Sequence, residues 1–463
     1  MKRLLLSVFA VAVTAAWAMP SNAAEVAFSG QYRLRGEQWN NVDFNKKAND
    51  HVDFWGQRVR LTANAKATDD TSVKITLQDT RAWGAAVNAN GGPQLTDNGN
   101  GFTSAGATTA ASNNSVDLHE SYVNMDKLFG APVTLKAGRQ ELAYGDERLV
   151  GSFGWSNNGR SFDALKFIVN TEPATIDVFT SKIKENNTTA SDQNFNGIYA
   201  TTKVVPNNTV DVYILSLKDQ TQSTGSPFGF GASLGNTAIS GLTTKTQTLY
   251  TYGFRVKGAV EGLDYTLEVP FQTGEVETTT PKTYKFSGMA YALKAGYTVP
   301  SPQKIRVGLE YDFASGDKDG TDEKVKTFFN LFPTNHGKFG IADQQGWRNA
   351  KVWNLNVKAD PIDKLTVTAA YYSFSLAQKQ DAWYSAAQWN SVPTGIRAAN
   401  ANNTSSKVGS EIDLVAAYKY NSAVAMELGY GRFSPGKFIT NQLTSAQSKA
   451  SQDFAYLQLT ANF

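Results

Sequence analysis

The sequence predicts an all-β fold, a transmembrane antiparallel up-and-down β-barrel of about 18 strands. Three observations predict it. Apolar and polar residues alternate with period 2 in one segment after another. Short turns and long polar loops take turns along the chain. No apolar run of about 18 residues follows the N-terminus, so helices do not supply membrane spans.

The first element is a leader. Lys2 and Arg3 precede an apolar stretch from Leu4 to Ala16, then Pro20 and the small residues Ser21-Asn22-Ala23. A basic start, a short apolar run and small residues at a cut site mark export. Residues 1–23 are read as a cleaved signal peptide, with Ala24 the alternative cut site, and 24–463 as a single outer-membrane barrel domain.

The strands follow. In Gln57–Lys66, Val59, Leu61, Ala63 and Ala65 share one face, opposite Arg58, Arg60, Thr62, Asn64 and Lys66. The last segment repeats this, with Ala455, Leu457, Leu459, Ala461 and the terminal Phe463 on one face. Such strands put one face in an apolar medium and wet the other. Segments of this kind begin near Val26, Asp53, Thr71, Ser115, Pro132, Phe162, Ala174, Asn194 and Asn208. Nine more begin near Thr246, Glu261, Lys282, Gln303, Trp347, Ile362, Val408, Ser422 and Gln452.

The connections sort by parity. Even-numbered strands end in tight turns such as Thr68-Asp69-Asp70-Thr71, Pro206-Asn207-Asn208 and Tyr420-Asn421-Ser422. Odd-numbered strands end in loops such as Gly84 to Asn114, Asp219 to Lys245, Ser315 to Gly346 and Leu376 to Lys407. Outer-membrane barrels show this asymmetry, with short periplasmic turns and long outer loops. A soluble sandwich or propeller has no reason to. Aromatics near strand ends suit interfacial girdles: Trp39, Trp55, Trp83, Tyr297, Tyr311, Phe313, Trp353, Tyr371 and Tyr372. Trp383 and Trp389 sit mid-loop and are expected to pack there.

Composition narrows the function. The 463 residues include no cysteine, which removes zinc fingers, disulfide scaffolds and thiol catalysis. Without Lys2 and Arg3 the basic count falls from 44 to 42 against 41 acids, a net +1. A dedicated nucleic-acid binder would carry a clear basic excess. The three histidines, His51, His119 and His336, have no catalytic motif beside them. His119 and Glu120 are adjacent in a strand and so are expected on opposite faces. No enzymatic activity and no cofactor are expected. Asp317, Asp319 and Asp322 surround Gly320 in the manner of a calcium loop but lack EF-hand spacing. They are weak metal candidates, and a solvated acidic loop is the alternative.

The wet face lines the lumen, and a barrel of this size leaves an aqueous channel. Early strands give it Arg33, Arg35, Arg58, Arg60 and Lys74, while Glu268, Glu310, Asp312, Glu411, Asp413 and Glu427 come later. A ladder of arginines on neighbouring strands suits an anionic solute, because guanidinium stays charged and grips carboxylates bidentately. The alternative is that these arginines pair with facing carboxylates and solvate the wall.

At residues 138–166 the chain reads GRQELAYGDERLVGSFGWSNNGRSFDALK, and residues 313–343 carry ASGD, TFFNLFPTNH, GKFG and AD in order. Together these blocks resemble the alginate-export family of bacterial outer-membrane β-barrel porins. The resemblance implies an 18-stranded monomeric channel with a narrow, arginine-lined lumen that passes an anionic uronate polymer. By motif, the implied path residues are Arg139, Glu141, Tyr144, Asp146, Arg148, Arg160 and Asp163. From the residues themselves, this Gly-rich charged segment either folds inward as a constriction or forms a salt-bridge cluster pinned to the wall.

One feature departs from the family. Its secretion-type member has a longer late periplasmic turn, whereas every such turn here is short. The expected function is passage of anionic solutes, alginate-like uronate poly- or oligosaccharides. The alternatives are a general small-solute diffusion porin and a structural or adhesive barrel without flux. The expected partners are outer-membrane lipids, lipopolysaccharide and the saccharide itself.

Overall fold

A strand's backbone donors and acceptors must find partners beside it, and lipid offers none. Closing the sheet on itself removes both edges. The computed structural model describes residues 25–47, 51–83, 116–185, 192–224, 242–280, 282–386, 402–443 and 449–463, and closure is what it shows. The leader, the loop from Gly84 to Asn114, and Trp389 lie outside the described residues.

Eighteen antiparallel strands form the wall. The first half comprises β1 (Glu25–Asn40), β2 (Val52–Lys66), β3 (Thr71–Ala82), β4 (Asp117–Met125), β5 (Val133–Gln140), β6 (Phe162–Thr171), β7 (Ala174–Lys184), β8 (Gln193–Thr202) and β9 (Asn208–Asp219). The second half comprises β10 (Thr243–Val260), β11 (Leu263–Thr278), β12 (Ala290–Thr298), β13 (Arg306–Ala314), β14 (Ala350–Ile362), β15 (Leu365–Ser375), β16 (Lys407–Lys419), β17 (Val424–Pro435) and β18 (Gln452–Asn462). Each pairs with its sequence neighbours, and β1 closes the ring on β18 from Gln31↔Asn462 to Asn40↔Asp453. Gly30 and Phe463 exchange two backbone hydrogen bonds, of 2.6 and 3.0 Å. Both ends of the ring therefore sit with the short turns, as an even strand number requires.

The parity of turns and loops holds throughout. The twelfth strand departs most from its expected start near Lys282. Thr283–Phe286 only extends the edge of β11 and turns aside to pair with Lys324–Val325. The wall strand itself starts at Ala290.

Outward faces carry Phe28, Leu61, Ile75, Leu165, Ile214, Leu309, Leu355 and Leu414, exposed on the chain alone and forming the band that meets lipid. Trp55, Trp83, Tyr297, Trp353 and Tyr371 share that outer surface. Two expected girdle residues point inward instead. Trp39 has the parity of Arg33, Arg35 and Glu37, and stacks on Phe454 at 4.0 Å between centroids. Tyr372 follows the outward Tyr371, so it must face in.

The hydrophobic core is inside the barrel, toward the long-loop end. Phe162, Phe195 and Phe332 meet edge to face, Phe328 packs on Trp347, and Phe44, Trp383 and Phe433 form a further cluster. Trp383 is fully buried there, as expected for a packed loop residue. Loops supply most of these side chains, so the loops fill part of the lumen.

Candidate functional site

The segment 141–161, between β5 and β6, crosses the interior as a bar fixed at both ends. At one end the inward arginines of β1 and β2 hold its carbonyl oxygens. Arg33 donates to Gly154 O at 2.8 Å, Ser156 O at 2.9 Å and Asn157 Oδ1 at 2.6 Å. Arg58 donates to Ser156 O at 2.9 Å and to Gln31 Oε1 at 2.7 Å. Arg35 donates to Trp155 O at 2.7 Å, pairs with Glu37, and lies 3.6 Å over the Trp155 ring. Charge-assisted bonds of this kind are about twice as strong as neutral ones. The cost is access, since Arg33, Arg35 and Arg58 are 4, 0 and 5 % exposed.

At the other end, ion pairs anchor the bar to the later strands. Asp146 takes Arg255 of β10 at 2.5 Å, and Arg255 also reaches Asp211 of β9 at 2.8 Å. Arg148 sits between Glu310 and Asp312 of β13, 3.0 Å from the latter. Burial would raise the Asp146 carboxyl, but the nearby Arg255 guanidinium overrides this and holds it below the usual carboxylate range. Between the anchors Tyr144 donates to Asp177 of β7 at 2.9 Å.

The loop 315–349 lies against the bar. Val150 and Phe332 form a parallel bridge, and Gly151 N and Phe332 N donate across it at 2.9 and 2.8 Å. Arg160 donates to the carbonyls of Gly151, Phe332 and Pro333 at 3.0, 2.6 and 3.0 Å, and burial pushes its guanidinium down to about 10. The far side of this loop rests on β16. Glu411 accepts from Ala342 N at 2.9 Å and Asp413 from Ile341 N at 3.0 Å. Trp155 and His336 stack at 3.6 Å, joining the two loops. His336 also contacts Asp343 at 2.8 Å.

The remaining expected site residues divide. Arg60 keeps partial exposure, with Gln78 at 2.7 Å and Glu141 at 3.4 Å, and Lys74 pairs with Glu120 at 2.5 Å. Glu141 also meets His119 Nε2 at 2.7 Å. Burial would raise the Glu141 carboxyl, but the His119 hydrogen bond and Arg60 bring it below its ordinary value.

Arg139 and Asp163 are placed differently from the pore-lining expectation. They share the parity of the outward Leu165 and Phe167 and form a bidentate pair, 2.8 and 3.0 Å, on the outer surface near the loop end. Motif resemblance ran across the strand ends, where each neighbouring residue changes face.

His119 and Glu120 correct another expectation. A bulge sets Thr76 against Glu120 and Leu77 against Leu118, so His119 is the extra residue and both side chains turn inward. Ser161 Oγ lies 3.3 Å from His119 Nδ1, which completes a Ser–His–Glu relay. Ser161 is buried.

The three metal-candidate carboxylates do not converge. Asp317 accepts from Asp319 N and Lys326 N, Asp319 from Thr321, and Asp322 pairs with Lys326. Among the described residues no group of three or more potential ligands is placed to hold a metal. Burial pushes Asp317 up to about 6.

Residue-by-residue reading of the charged segment missed its uncharged parts. Trp155 joins three elements, lying against Arg35 of β1, Tyr456 of β18 and His336 of the other loop. The signal was present in the spacing of Gly151, Gly154 and Gly159 around an aromatic.

Comparison with known proteins agrees with this architecture. Solved Pseudomonas aeruginosa barrels superpose over nearly the whole chain. OccK9 (OpdG) gives a TM-score of 0.57 at 13% identity, covering 95% of this chain and 98% of its own. OccK8 (OprE) gives 0.55 at 11%, covering 95% and 98%. OpdK, solved with vanillate, gives 0.53 at 10%, covering 94% and 98%. At such identities the likeness is one of fold. No curated protein sequence matches the chain. The alginate-export family model matches residues 24–453, nearly the whole of the barrel traced above. The chain belongs to the alginate-export family and is a β-barrel porin of the bacterial outer membrane.

Proposed function

We propose that the barrel conducts anionic solutes of the uronate type, oligosaccharides in preference to long polymer. Lysines facing the lumen without an ion-pair partner among the described residues carry this reading. Lys136 of β5 rests 3.9 Å over the Tyr122 ring, touching no carboxylate. Lys338 of the loop 315–349 lies near Asp146, Glu147 and Glu310, without a salt bridge among the described residues. Cations that face a lumen without a direct ion-pair partner raise the local anion concentration there. Arg60 and Lys74, both partly exposed, extend that potential along the early strands. The enclosed Arg33, Arg35 and Arg58 act behind them by holding the bar.

Two observations favour small solutes over polymer. The periplasmic connections are short, as at residues 363–364 and 420–423, and two loops already occupy the lumen. Among barrels of this family the alternative is an unselective small-solute pore, and reversal potentials decide between them. In planar bilayers under a salt gradient, wild type should prefer anions and be blocked by uronate oligosaccharides. Lys136→Gln with Lys338→Gln should reduce that preference with normal heat-modifiable folding. Cation preference in the wild type would sink the reading.

A further inference from the structure

From β3 to β6 three lysines take the inward parity, and two of them are matched to carboxylates. Lys74 meets Glu120 at 2.5 Å and Lys166 meets Asp177 at 3.0 Å. Lys136 meets none among the described residues, and its ammonium rests 3.9 Å over the Tyr122 ring of β4. Beyond the described residues the chain holds only two carboxylates, Asp50 and Asp97, in the connections that follow β1 and β3. Lys136 lies toward the opposite end, at the second inward position counted from the short turn that precedes β5.

The register makes this charge costly. Lys136 stands directly opposite Lys166 on the neighbouring strand. Like charges so placed destabilise a sheet. The two stems start side by side and their ammoniums lean apart, one to Tyr122 on β4 and the other to Asp177 on β7. The ring face returns part of the cost but supplies no counter-ion. A neutral residue at 136 would remove the repulsion, so the wall alone gives no reason for a second lysine.

The pair lies just beneath the crossing bar. The bar leaves β5 at residue 141, and its Tyr144 ring comes within 5.8 Å of the Lys166 ammonium. Lys136, Lys166 and Tyr122 are each half-buried on the side of the bar nearer the short turns.

We propose that Lys136 and Lys166, with Tyr122 steadying the first, form a carboxylate-binding subsite on the periplasmic side of the bar, taking one uronate carboxylate between the two ammoniums. The proposal deepens the channel reading and rests on it. That reading asks only for a positive lumen, whereas a subsite holds the solute for a measurable time. The bound carboxylate supplies the counter-ion that Lys136 lacks and relieves its repulsion with Lys166. Asp177 competes for Lys166, so the hold stays weak enough for release, as conduction requires.

The experiment is current block in planar bilayers, with trigalacturonate added on the short-turn side and maltotriose as the neutral control. Trigalacturonate should block wild type in resolved events. Lys136→Gln should shorten them at least about fivefold, the effect of losing one charge-assisted hydrogen bond, and Lys136→Arg should restore them. Maltotriose should act alike on all three. Lys127→Gln, on the exposed turn between β4 and β5, should leave the events unchanged. Folding gives a second readout. Without sugar, the urea midpoint of Lys136→Gln should equal or exceed that of wild type, since the substitution removes the charge opposite Lys166.

Events of wild-type length in Lys136→Gln overturn the subsite, and an anion-preferring wild type then keeps the channel reading. A lowered midpoint with maltotriose events altered as much as those of trigalacturonate assigns Lys136 to wall structure and also overturns it. A wild type that trigalacturonate never blocks does the same. A cation-preferring wild type that is still blocked through Lys136 sinks the anion reading and leaves the subsite standing.

Discussion

The two sides of the lumen hold the crossing loops by opposite chemistry. On β1 and β2, Arg33, Arg35 and Arg58 donate to the carbonyl oxygens of residues 154–156. On β16, Glu411 and Asp413 accept from the amides of Ala342 and Ile341, while Glu310 and Asp312 of β13 grip Arg148. A loop backbone carries both donors and acceptors, so a cationic wall binds it by carbonyls and an anionic wall by amides. Charge segregation in this lumen therefore holds the crossing loops in place from both sides.

That contrast can be broken most strongly at Arg148. Arg148→Met leaves Glu310 and Asp312 buried without their cation, a loss of about 3–5 kcal/mol by analogy with broken buried pairs. The bar should loosen at its late end, seen as faster limited proteolysis within 141–161 in the folded barrel. Unchanged protection would show that β13 does not anchor it.

A smaller effect is expected on the basic wall. Arg58→Gln removes the charge-assisted bond to Ser156 O while Arg33 still holds the same residue, for about 1.5–3 kcal/mol. The readout is noisier single-channel current with a higher mean conductance. A quiet channel of wild-type conductance would assign the hold to Arg33 and Arg35 alone.

The smallest change sharpens the comparison. Glu411→Gln keeps a carbonyl oxygen for Ala342 N and removes one of two adjacent buried charges, so stability should shift by less than about 1 kcal/mol. Urea unfolding of the variant checks this. A loss comparable with that of Arg148→Met would mean the acidic wall works through charge and not through acceptance.

Much of the barrel was legible in the chain, because lipid and water impose period 2 on every strand and loop length follows the side of the membrane. The inward positions of Arg33, Arg35, Arg58 and Arg60 came from that counting. Counting failed where the ladder slips or a motif crosses a strand end. The bulge at Thr76 and Leu77 turned both His119 and Glu120 inward. Arg139 and Asp163 sat in a block of related sequence but on the outward parity. Local alternation cannot report a bulge, because the extra residue is defined by the partner strand.

By itself the sequence determined the strands, their order, the face most strand residues take and the separation of basic from acidic wall. These follow from local alternation and from charge, both properties of position along the chain. Only the tertiary structure decided what the charges do. Three of the four early arginines are enclosed against loop carbonyls, and the acids of β13 and β16 against Arg148 and loop amides. Both depend on how two loops, 141–161 and 315–349, meet across the lumen. That meeting is a long-range contact, and no local period encodes it.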